Sequence, residues 1–197
     1  MNETTPAVRA CGTCSRCCVD LVIQGLCHAG PPDGVKPAGR PCPHLSPSGF
    51  VDAAFRWLGW CDDYAARPPA CSGYECLWRL LGPDDDVLGN SARPDLLGAV
   101  FSTHLASELH LPPRGEPPAD WLVVTACPVY GPDGTVRRPV SANPAAMDAV
   151  RCLRLAGLAV LIDEEYAGGR AVLDEPLRKP TEPFARRLAA AIERPQD

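Results

Sequence analysis

The chain has 197 residues, of which 46% are hydrophobic and 22% charged, values that exclude wholesale disorder and allow a buried core. Pro (23) and Gly (17) are abundant, which favours turns and short elements over long helices. A net charge of −5 gives no electrostatic reason to expect nucleic acid or an anionic membrane as a partner.

The eleven cysteines decide the next step, because nine of them fall within the first 76 residues. Such density means disulfides in an oxidising compartment or metal thiolates in a reducing one. The opening residues, Met1 to Ala10, lack the basic-then-apolar order of a signal peptide, and the apolar stretch Leu153–Ile162 is too short to span a bilayer. A cytoplasmic protein with reduced thiols is therefore expected, and metal is the favoured reading.

Two regions follow from composition. Residues 1–80 carry the cysteines in short pieces broken by Pro and Gly, such as Gly30-Pro31-Pro32-Asp33-Gly34. With so little continuous apolar pattern, this stretch needs a cross-link such as bound metal to stay ordered. Residues 93–197 read as a small conventional unit forming one compact body with the first. The expected fold class is α+β: an irregular, metal-organised N-terminal module packed on a small β-sheet with two helices.

In chain order, the first signal is Cys11-Gly12-Thr13-Cys14-Ser15-Arg16-Cys17-Cys18, a C-x2-C-x2-C-C run. A C-x2-C pair suits metal because the tight turn between its members aims both sulfurs at one centre. On a helix the four Cβ directions would fall within an arc of about 120°. Extended backbone would instead send Cys17 and Cys18 to different centres. Cys42 follows in Pro41-Cys42-Pro43-His44-Leu45, and Cys61, Cys71 and Cys76 complete a set of eight thiols. Eight suffice for two tetrathiolate sites, or for one cluster with thiols to spare. Two such zinc sites would be anionic, so Arg16, Arg40, Arg67 and Arg79 are candidate neighbours, although a solvated surface role fits any one of them better.

Later elements carry ordinary signals. Leu97–Thr103 and Trp121–Cys127 have the β-branched and aromatic content of strands. Pro112–Pro118 reads as a loop between them. Asn143-Pro144 has the form of an N-cap followed by Pro at the first helical position, and Ala146, Met147, Val150 and Leu153 fit a helix face. Leu158–Ile162 reads as a buried strand, Gly168-Gly169 as a turn, and Ala171–Leu173 as a short strand. Phe184, Leu188 and Ile192 mark a final amphipathic helix over Thr181–Arg194. Cys127 and Cys152 fit buried small hydrophobes better than ligands. Cys27-His28 reads as incidental, His44 as a surface residue and Asp84-Asp85-Asp86 as a solvated turn. The chain lacks the P-loop, the G-x-S-x-G and the dinucleotide-binding glycine pattern, so no catalytic set is readable.

The cysteine spacing resembles a known family. C-x2-C-x2-C-C over Cys11–Cys18, the Pro-Cys-Pro-x-Leu box of Pro41–Leu45, and Cys-x2-Tyr-x2-Arg-Pro-x2-Cys over Cys61–Cys71 form the pattern of the YkgJ-type cysteine-cluster proteins. These are described as zinc- or iron-chelating domains, and flagellin lysine N-methylases are similar in the same cysteines. The match spans residues 11 to about 79. It departs from the pattern in the additional Cys27-His28 pair and in the bulky Trp57–Trp60 segment. The resemblance implies binding of zinc or an iron–sulfur cluster through Cys11, Cys14, Cys17, Cys18, Cys42, Cys61, Cys71 and Cys76. Two function classes remain open: a metal-binding or protein-interaction module, or an iron–sulfur-dependent enzyme with redox or protein-modifying activity.

Overall fold

The structure is a computed structural model that describes residues 14, 16–21, 36–46, 50–51, 57–58, 61, 71, 74, 76–83, 85–109, 121–131, 135–164, 172–176, 179 and 181–192. Cys11, Cys27, His28, His110, Pro112–Pro118 and Gly168-Gly169 lie outside the described residues.

The α+β expectation is met, among the described residues, by a small mixed sheet and five α-helices. Strands β3 (Ala99–Leu105), β4 (Leu122–Tyr130), β6 (Ala159–Ile162) and β7 (Val172–Asp174) lie side by side in that order. A short strand, β5 (Val136–Arg138), pairs with the far end of β4. The β3–β4 ladder is antiparallel over its whole length, from Ala99 opposite Pro128 to Leu105 opposite Leu122. Between β4 and β6 the pairing is parallel, Val123 opposite Ala159, so the chain must cross over the sheet. That crossover contains α4 (Pro144–Leu155).

Helix α4 starts where its sequence dictates. The Asn143 side chain accepts a hydrogen bond from the Ala146 N–H at 3.3 Å, and Pro144 occupies the first turn, where its missing N–H costs nothing. Its buried stripe of Ala146, Ala149, Val150 and Leu153 packs with α5 (Glu182–Ile192), through Phe184 and Leu188, against Phe101, Val124, Ala126, Val160 and Ile162. Alternation along the strands turns Ser102, Thr125 and Cys127 to the opposite face.

Cys152 overturns its expected burial: it is exposed. At about 100° per residue it lies roughly a third of a turn from the centre of the α4 apolar stripe, so nothing draws it inward. Cys127 is half-buried. Asp85 is likewise not solvated; it is buried and its Oδ1 accepts from the Val87 N–H at 2.8 Å, closing a local turn.

The N-terminal portion contributes α1 (Arg16–Asp20), a two-stranded ladder of β1 (Phe50–Val51) and β2 (Trp57–Leu58), and the four-residue helices α2 (Leu77–Leu80) and α3 (Pro94–Leu97). The sequence pattern predicts neither these short helices nor β5. The strand expected from Leu97 begins instead at Ala99, because α3 runs through Leu97 and ends at Gly98.

Gly98 has φ +76°, and a Cβ there would meet the Asn143 Nδ2 at 3.0 Å, the same amide that donates to the Leu97 carbonyl at 2.8 Å. The residue thus serves two elements, ending α3 and leaving room for the cap of α4. Gly98→Ala is expected to lower stability by about 1–3 kcal/mol, the usual cost of a side chain in the left-handed region. A denaturant titration would read this as a lower midpoint with unchanged slope.

Candidate metal centre

Seven of the eight expected ligands are described, and none of the nine described cysteines is in a disulfide. Only Cys17 and Cys18 of the first run lie on α1; Cys14 precedes the helix, so the run is not one continuous helical face. The remaining cysteines are brought toward this helix by specific contacts. The Cys42 N–H donates to the Cys18 carbonyl at 2.9 Å, and the Leu45 N–H donates to the Cys42 carbonyl at 2.9 Å, turning the Pro-Cys-Pro segment against the end of α1. Leu45 in turn bridges Cys61 in antiparallel fashion, closing a hairpin whose inner rungs are β1 and β2. Cys18 and Cys71 pack against the apolar cluster of Val19, Cys42 and Leu45.

A second grouping surrounds Tyr74. Its hydroxyl shares a 2.7 Å hydrogen bond with the Ser102 Oγ on β3, and burial, with the charge of nearby Cys76, Cys17 and Cys127 as thiolates, opposes ionisation of the phenol. The Cys14 thiol accepts from the main-chain N–H groups of Arg16 and Asp95. Thus Cys14, Cys17 and Cys76 approach the sheet, whereas Cys18, Cys42, Cys61 and Cys71 gather about Val19 and Leu45. Among the described residues, no three His, Cys, Asp or Glu side chains converge on one point as a bound ion would require.

Two buried charged groups hold this region in place. Arg16 and Asp20, one turn apart on α1, form a two-pronged ion pair at 2.7 and 2.6 Å, with side chains 3% and 0% exposed. The same pair grips β4: the Arg16 guanidinium donates to the Tyr130 carbonyl at 3.0 Å, and Asp20 accepts from the Tyr130 N–H at 3.0 Å. Burial pushes the Asp20 carboxyl up to about 7, while Arg16 and the Tyr130 N–H pull in the opposite direction. Arg16 is therefore a structural anchor rather than a solvated residue.

Lys36 is the other buried group. Its ammonium donates to the carbonyls of Val19 (3.0 Å), Pro37 (3.0 Å) and Arg40 (2.9 Å), which uses all three of its protons. These bonds tie the end of α1 to the loop that leads into Cys42. Among the described residues no carboxylate forms an ion pair with it, and the groups that favour its charge are Asp20 and the thiolate forms of Cys42, Cys18 and Cys17. Burial alone lowers its affinity for the proton.

Three of the described thiols, Cys14, Cys17 and Cys127, resist ionisation. Burial raises Cys14, and contact with the Cys18 thiol together with burial raises Cys17. Burial pushes Cys127 up to about 12. Sequence reading overlooked Lys36, Tyr74 and the Arg16–Asp20 pair as parts of this region. Lys36 is one of two lysines in an Arg-rich chain, which was the one available signal, because an Arg fork would not fit three converging carbonyls.

No protein family, curated protein or solved structure gives a match to this chain. Among the described residues, no helix is long and apolar enough to cross a membrane.

Asp20→Ala is expected to destabilise the protein by about 3–5 kcal/mol, since it leaves the Arg16 charge buried without its partner. The double variant Arg16→Met, Asp20→Leu should recover most of that loss. Chemical denaturation of the three proteins checks both statements.

Proposed function

We propose that the N-terminal cysteines form a metal-thiolate centre holding zinc or an iron–sulfur cluster, with Cys11, Cys14, Cys17, Cys18, Cys42, Cys61, Cys71 and Cys76 as the ligand set. The observation that carries this reading is the buried ammonium of Lys36, which donates to the Val19 carbonyl next to Cys18 and to the Arg40 carbonyl in the loop that leads into Cys42. Burying a cation whose hydrogen bonds, among the described residues, all go to neutral carbonyls is costly, and the cost falls if anionic sulfurs lie nearby. A metal provides that arrangement, because it binds Cys as thiolate and a tetrathiolate centre retains net negative charge.

Donor type fits as well: soft thiolates select zinc, copper(I) and iron–sulfur clusters over magnesium or calcium. The segments carrying the cysteines are short and joined by few ladders, so closure of the sulfurs onto an ion would order them further. Because burial holds the protons on Cys14 and Cys17, metal uptake releases protons, and apparent affinity rises with pH. A centre closed by four thiolates leaves no open position for chemistry, which favours a binding module over an enzyme. Cytoplasmic residence follows from the same chemistry, since free thiols in this number persist only where the medium is reducing.

Anaerobic purification followed by metal analysis and a visible spectrum tests the proposal. Stoichiometric zinc in a colourless protein supports the binding module, and a brown protein with acid-labile sulfide supports the iron–sulfur alternative. Neither metal at stoichiometry overturns both. Lys36→Met is expected to weaken zinc binding at least tenfold in competition with a chromophoric chelator, whereas Cys152→Ser leaves it unchanged. Cys14→Ser should open the N-terminal third to protease far more than Cys152→Ser does.

A further inference from the structure

Beside α1, a cleft of about 540 Å³ opens between α3, the start of α4 and β5, within the size range of small-molecule sites. Arg16 forms part of its wall, although the residue is only 2% exposed. One edge of the guanidinium is spent: Nε and Nη2 make the two bonds to Asp20, and Nη2 also donates to the Tyr130 carbonyl. Among the described residues nothing accepts from Nη1, at the corner away from that edge. Nor is Nη1 among the polar atoms sealed in without a partner, so it opens on the cleft that Arg16 lines. Asn143 lines the same cleft and is also buried. Its Nδ2 gives one proton to the Leu97 carbonyl and keeps the other, while its Oδ1 accepts from the Ala146 N–H. The carboxylate in the wall, Asp95, is held at both oxygens by Arg93, at 2.6 and 2.8 Å. The buried wall thus carries spare donors and no net charge, since Asp20 balances Arg16 and Arg93 balances Asp95. The β5 side chains at the rim are exposed, where water screens their charge.

We propose that this cleft binds a small neutral carbonyl compound with a short apolar body, its oxygen accepting from Arg16 Nη1. A guanidinium donor makes a stronger hydrogen bond than a neutral one, and leaving it unmade beside an apolar occupant is costly. That asymmetry selects a ligand with an acceptor oxygen over an isostere without one. Leu96, 52% exposed on α3, and Val129 on β4 offer the apolar surface for the rest of the molecule. The donor is held before any ligand arrives, because Asp20 and the Tyr130 carbonyl fix the plane of the guanidinium. The site stands on the free corner of Arg16 and not on the thiols, so its failure would leave the metal proposal untouched.

The test titrates the full chain with four probes of one shape: pentanamide, hexan-2-one, pentanoate and 1-chloropentane, which lacks oxygen. Amide shifts are followed at Gly98 and at the Asn143 side chain. The expected result is saturable binding of the amide or the ketone with shifts at both reporters, about tenfold tighter than the chloroalkane. Whichever of the two binds tighter assigns the carbonyl class. The charge-free pair Arg16→Met, Asp20→Leu should abolish the preference for an oxygen-bearing probe. Ala145→Leu, an exposed position on the cleft wall, should weaken all four probes, and Arg186→Gln on α5 should change nothing. Equal binding of amide, ketone and chloroalkane overturns the proposal, as do absence of saturation and shifts confined to other residues. A tenfold preference for pentanoate over both neutral carbonyl probes also overturns it, since charge would then select the ligand. The wild-type comparison and Ala145→Leu decide the matter even if the double variant fails to fold.

Discussion

The fork between Arg16 and Asp20 is the constraint on which the arrangement of the cysteines depends. Two side chains on a five-residue helix reach the main chain of a residue more than a hundred positions away. They offer Tyr130 a donor and an acceptor, the pair of groups a neighbouring strand would offer. A helix this short has little stability of its own. Its docking on β4 sets the position of Cys17 and Cys18, and through the Cys42–Cys18 main-chain bond it also sets the approach of the Pro-Cys-Pro segment. The well-packed sheet thus acts as a scaffold for a stretch with little apolar material of its own.

Lys36 adds the charge balance. Its three carbonyl partners fix the ammonium in place without neutralising it, so the surrounding sulfurs and Asp20 supply the compensating field. The same burial that makes thiolates costly for Cys14 and Cys17 makes the lysine costly as a lone cation. Each cost is reduced when both charges are present, so ionisation of these thiols and the protonation of Lys36 are coupled.

Local signals in the sequence carry much of the sheet and little of what surrounds it. The cap at Asn143-Pro144, the run Leu158–Ile162 and the four-residue spacing of Phe184 and Leu188 are each decided within a few residues, and each appears within two residues of its expected place. Strand β5 is three residues with two exposed arginines, too short and too polar to show a period. The start of β3 was displaced by a capping glycine whose role depends on Asn143, far along the chain. For the site, spacing picks out the cysteines because paired Cys-x2-Cys residues leave a local mark. The charged groups around those cysteines leave none: Arg16 and Asp20 act on the main chain of distant Tyr130 and Lys36 on three carbonyls of irregular backbone, and no periodicity encodes such contacts. Cys152 shows the converse error, since sulfur content alone suggests burial where the helix face turns outward.

The grip on Tyr130 is made entirely with its amide and carbonyl. An exchange that keeps the bulk of this buried side chain, such as Tyr130→Phe, therefore leaves the docking of α1 intact. A one-residue insertion within β4 between its pairing with β6 and Tyr130 is another matter. It would carry a different peptide unit under the fork, so the length of that strand, rather than its composition, is the quantity under restraint.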